Sequence, residues 1–102
     1  MKIIEKVIGM IDDELDGAEE YAKCALKVKA EYPSLAKRFH ELSQTEMQHF
    51  KILHGEVEKL IAEYREKNGE PPASMLAVYN YEHEKAIKKV AEIKAMIDEF
   101  SA

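Results

Sequence analysis

All three prolines and one of the four glycines gather at two places, Glu31-Tyr32-Pro33-Ser34 and Asn68-Gly69-Glu70-Pro71-Pro72. Proline lacks the amide proton a helix interior needs, and glycine is the usual residue just past a helix end, so these clusters are turns. Between them apolar residues recur every three or four positions. The first segment carries Ile4, Ile8, Ile11, Leu15, Ala18 and Ala22, and the second Leu35, Phe39, Leu42, Phe50, Leu53, Val57, Leu60 and Tyr64. The third carries Leu76, Tyr79, Ile87, Val90 and Ile97. This is the period of a helix buried along one stripe. The spacing predicts an all-α chain with helices near 2–29, 34–67 and 73–100: a long antiparallel hairpin followed by a third helix.

A second helix over 34–67 would be roughly 50 Å long at about 1.5 Å per residue, too long for one three-helix domain of 102 residues to cover. The shorter third helix cannot finish a four-helix bundle along that whole length. A homodimer, or a higher homo-oligomer, is therefore expected to supply the missing faces, because closed two-fold symmetry is the commonest solution.

Composition narrows the function. Fifteen basic against 20 acidic residues leave a net charge of −5, with no basic block, so attraction to nucleic-acid phosphates is not expected. The apolar opening is interrupted by Glu5 and Lys6, which predicts neither a secretory signal nor a membrane span. The lone Cys24 cannot form an internal disulfide, fits a reducing cytoplasm, and reads as a small apolar filler.

The informative acids are those with apolar neighbours at helical spacing. Glu19 and Glu20 have Asp16 and Lys23 nearby and read as surface charges, and the group Asp12, Asp13, Asp16, Glu19 and Glu20 as a solvated face. Glu14 has Val7, Met10, Ile11, Gly17, Ala18 and Tyr21 instead. Glu46 is surrounded by Phe39, Leu42, Ser43, Phe50 and Leu53, with His49 one turn on, forming Glu-x-x-His. That spacing puts a carboxylate and an imidazole about 60° apart on one helix face, close enough to share a cation. With a turn near 29–33, antiparallel pairing sets Glu14 level with Gln48, so all three residues meet at one height in the hairpin. A symmetric dimer doubles them to four carboxylates and two imidazoles, the ligand set of dinuclear centres in helical bundles. Four ionised acids in an apolar bundle repel one another, and two divalent cations cancel that charge. Mixed carboxylate and imidazole donors suit iron, two ions per dimer, with manganese the alternative. A metal-free reading also fits: the buried Glu and His specify the pairing geometry of a helical interaction module.

Asp13-Glu14-Leu15-Asp16-Gly17-Ala18-Glu19-Glu20-Tyr21 followed by Glu46-x-x-His49 resembles the ferritin-like superfamily, closest to encapsulated ferritins and rubrerythrin-type dinuclear iron proteins. The resemblance covers residues 1–65. It implies a four-helix ferritin-like core completed by homodimerisation, with Glu14, Glu46 and His49 as iron ligands and Tyr21 beside them, where its hydroxyl could orient Glu14. It implies a ferroxidase activity, oxidation of Fe(II) by dioxygen for iron handling and storage, or a peroxide reductase fed by an outside electron donor. The chain departs from these families in three ways. No tail resembling a shell-docking peptide follows Phe100, so loading into a protein shell is not expected; paired C-x-x-C motifs are absent; and the third helix has no second Glu-x-x-His.

Other residues have ordinary readings. His83, among Leu76, Tyr79, Ala86, Ile87 and Val90, is a core-facing imidazole, either hydrogen-bonded for structure or an extra ligand near the dimer seam. Glu56 continues the Glu46 stripe, whereas His40 and His54 stay outside the proposed site. Gly17 and Gly55 mark either close helix approach or local tolerance.

Overall fold

The computed structural model describes residues 2–102, with α1 at Lys2–Val28, α2 at Pro33–Asn68 and α3 at Ala73–Ser101, and no strand among the described residues. The predicted boundaries hold to within about one residue, because the local breakers set them. Pro33 opens α2 where its missing amide proton costs nothing, and the Tyr32 carbonyl accepts from the Ala36 amide at 2.9 Å. Gly69, at φ 76°, takes the left-handed conformation that closes α2, donating its amide to the Arg65 carbonyl at 3.0 Å.

The α1–α2 hairpin is a close one. Along α1 the buried side chains are Ile4, Ile11, Leu15, Ala18, Ala22 and Ala25, the stripe that the sequence predicts with Ala25 added and Ile8 only half-buried. On α2 the buried positions are Ala36, Ser43, Met47 and Val57, whereas Leu35 and Leu42 are exposed. The most apolar row of α2 is thus not the row that meets α1. Small residues on both helices let the backbones approach, and fully buried Ser43 donates its hydroxyl to the Ala18 carbonyl at 2.7 Å. A buried hydrogen bond of this kind contributes about 1 kcal/mol.

The third helix lies along α1 in the same direction and packs on it far more than on α2. Lys89 donates to Asp16 and stands 3.8 Å from Glu19, which holds its ammonium above the ordinary lysine range, chiefly through the Asp16 hydrogen bond. Asp16 and Glu19 are therefore partly neutralised by α3 rather than simply solvated. Near the far end, Lys29 Nζ sits 4.7 Å over the Phe100 ring, which also stacks on His40 at 4.4 Å. Ile93, Ala86, Val57 and Leu15 form the shared core of the three helices.

The molecule measures 55 × 19 × 17 Å and has a radius of gyration of 16.3 Å. A compact chain of this length has a radius near ~13 Å, so the long helices leave much apolar surface on one chain uncovered. The described residues include no helix long and apolar enough to cross a membrane.

The two glycines singled out above part company. A Cβ at Gly17 would meet the Glu46 side chain, Oε2 at 3.4 Å, in ordinary van der Waals contact, so Gly17 lies against the acid cluster without being required there. At Gly55 nothing lies within 4 Å. Gly55→Ala is therefore expected to stabilise the chain by about 1 kcal/mol through helix propensity alone, read as a higher denaturant midpoint at unchanged slope.

Candidate metal centre

Glu14 on α1 and Glu46 and His49 on α2 come together as the register predicts. One carboxylate oxygen from each Glu and one His49 ring nitrogen lie within 4.8 Å of one another, the one such three-ligand cluster among the described residues. His49 Nδ1 is 3.3 Å from Glu14 Oε2. Donors about 2.1 Å from a six-coordinate ion lie about 3.0 to 4.2 Å apart, so a cation needs only small side-chain movements to sit among these three.

The electrostatics are those of two acids brought together without a cation. The Glu46 carboxyl is held above the ordinary carboxylate range, first by a hydrogen bond shared with Glu14, then by burial and the Glu14 charge, with His49 pulling it back. The donor set of two carboxylates and one imidazole fits iron or manganese and lacks the thiolates of a structural zinc site.

The cluster is more open than the sequence implies. The side chains of Glu14 and His49 are 26% and 48% exposed, so in a single chain they line a half-open face rather than an apolar interior. On helical projection Ile3 and Met10 lie within about 40° of Glu14, and Leu35 and Leu42 within about 40° of Glu46. All four are exposed large hydrophobics. Of the apolar neighbours that made these acids conspicuous in the sequence, Met10 and Leu42 are uncovered in a single chain, and Ile3 and Leu35 extend the same faces.

Around the cluster, the Tyr21 ring stacks with Phe39 at 6.1 Å, and no hydrogen bond joins its hydroxyl to Glu14 among the described residues. Glu56 is exposed and pairs with Lys59 at 3.2 Å. His40, against Phe100, stays away from the acids. Cys24 Sγ lies 3.6 Å from Glu20 Oε1, and burial followed by that contact pushes the thiol above its ordinary range, so it stays protonated.

Sequence reasoning separated two histidines that the structure joins. His54 Nε2 is 3.3 Å from His83 Nδ1, while His54 Nδ1 is 3.0 Å from Glu58 Oε1. The signal was present, since His54 lies on the α2 face with Ala36, Ser43 and Met47, but only the path of α3 brings His83 to it. Set against known proteins, the chain matches no family model, no curated protein and no solved structure.

Proposed function

We propose that two copies of the chain pair through the open face of the α1–α2 hairpin and bring two sets of Glu14, Glu46 and His49 together as a dinuclear iron centre. In this reading the two hairpins make a ferritin-like four-helix core, with α3 packed outside it. The observation that carries it is the three-ligand cluster on a half-open face bordered by exposed Ile3, Met10, Leu35 and Leu42. Exposed apolar surface around such a cluster marks a contact site when it is continuous. Here it surrounds a ligand set that is incomplete in one chain.

Fe(II) held there would be the substrate: two ions would give up one electron each, and dioxygen would take up those two electrons and two protons from solvent to become hydrogen peroxide. The protein positions the ions and provides their ligands. Glu14 and Glu46 would hold the ions through carboxylate oxygens and His49 through a ring nitrogen. A cation would compete with the proton that Glu46 holds more tightly than an ordinary carboxyl, so binding would weaken at acid pH. Pairing of the chains excludes bulk water from this face and strengthens each charge interaction there.

The same exposed row would also serve a metal-free interaction module, and one experiment separates the two. Anaerobic Fe(II) titration followed by oxygen is expected to give about one iron per chain and a ferric absorbance in the near ultraviolet, with a dimer or larger species by sedimentation. Glu14→Ala and His49→Ala should keep the oligomer and lose the oxidation. An oligomer that binds no iron, with oxidation unchanged from buffer in all three proteins, assigns the chain to the interaction module.

A further inference from the structure

The His54–His83 pair stands apart from the Glu14 cluster and has the geometry of half a coordination sphere. Two imidazole nitrogens bound to one tetrahedral ion at about 2.0–2.1 Å lie about 3.3–3.4 Å apart, with ring centres about 5.2 Å apart. The observed separations are 3.3 Å between nitrogens and 5.3 Å between ring centres. For a nitrogen-to-nitrogen hydrogen bond, 3.3 Å is long. The second nitrogen of His54 faces Glu58 Oε1 at 3.0 Å, the carboxylate–imidazole arrangement that fixes the tautomer and raises the basicity of a metal-binding histidine.

Both rings line a largely apolar cavity of about 20 Å³, with Asp12, Glu82 and Tyr79 also on its wall. That is room for one water molecule or one ion. Glu82 Oε2 is buried and accepts no hydrogen bond, with Lys85 Nζ 3.9 Å away. At 3.9 Å the lysine balances its charge without a hydrogen bond, so a cation or water in the cavity would complete the partners of this oxygen.

We propose that His54 and His83 bind a divalent cation of the imidazole-preferring kind, Zn²⁺ being the probe of choice, independently of the iron cluster. Glu58 orients His54, and water fills the remaining positions, with the Glu82 carboxylate on the wall of the same cavity. Binding requires lone pairs on both facing nitrogens, so a proton held between them is lost to solvent or moves to the outer nitrogen of its ring. The ion would then tie α3 to the middle of α2, where the two helices otherwise touch little.

The test uses metal-free protein carrying Glu46→Ala, which disables the iron cluster. Calorimetric Zn²⁺ titration is expected to show one ion per chain, with affinity falling at least tenfold on adding His54→Ala or His83→Gln, and several-fold on adding Glu58→Gln. In the unmutated chain, Zn²⁺ should shift the imidazole resonances of His54 and His83 and leave those of His40 in place. That measurement stands even where a variant fails to fold. Unmoved His54 and His83 signals, or equal Zn²⁺ affinity with and without the two imidazoles, would overturn the assignment.

Discussion

Replacing Glu46 by glutamine is expected to stabilise the metal-free protein at neutral pH while abolishing its response to iron. The acid is held above the ordinary carboxylate range by its hydrogen bond with Glu14, by burial and by the Glu14 charge. The folded chain therefore binds this proton more tightly than the unfolded chain does. The resulting stability is fully present below the ordinary carboxylate pKa and is lost as pH rises through the raised folded value. In Glu46→Gln the amide donates to Glu14 without a charge, so that loss on going from acid to neutral pH should disappear. Metal binding works in the opposite sense. For the unmutated protein at an ion concentration 100 times the dissociation constant, linkage adds about 2.7 kcal/mol, or roughly 10–20 °C in melting temperature for a chain of this size. Melting curves at pH 4.5 and 7, with and without anaerobic Fe(II) or Mn(II), should show both effects. A Glu46→Gln protein that melts below wild type when metal-free and still gains the full shift with iron would remove the basis for the centre.

Leu42→Gln should break the pairing of chains while leaving each chain folded. Leu42 is 42% exposed, so its loss should change the stability of the isolated fold by less than about 0.5 kcal/mol. Burying such a side chain is worth about 1.5–3 kcal/mol, and a two-fold interface buries it twice. Half of that sum, about 1.5–3 kcal/mol, weakens dimerisation by roughly 10- to 100-fold at 1.4 kcal/mol per tenfold. Sedimentation at micromolar protein is expected to show monomer, with oxidation of Fe(II) lost in parallel and regained as concentration rises. Recovery with concentration distinguishes a missing partner from a damaged ligand. Oxidation that is independent of concentration in Leu42→Gln would place the whole activity within one chain.

The three helices were legible because their causes are local. Pro33, Gly69 and Pro72 act on the backbone beside them, and the three- and four-residue spacing of apolar side chains needs no tertiary knowledge. The meeting of Glu14 with His49 was legible for the same reason, since a short turn between two regular helices leaves little freedom of register. The inner face of α2 was harder to read. Hydrophobicity alone favours the row of Leu35 and Leu42, but closeness of backbones favours Ala36 and Ser43, and packing geometry decided for the small residues.

By itself, then, the order of residues determined three helices, two turns and the height at which two acids and an imidazole face each other. Only the tertiary structure decided which stripe of α2 is buried, that Lys89 of α3 neutralises Asp16, and that His54 and His83 meet over a small cavity. Those outcomes depend on where α3 lies against α1. A helix docking on a broad apolar surface is guided by contacts summed over many side chains from distant parts of the chain, and no short stretch of sequence carries that sum.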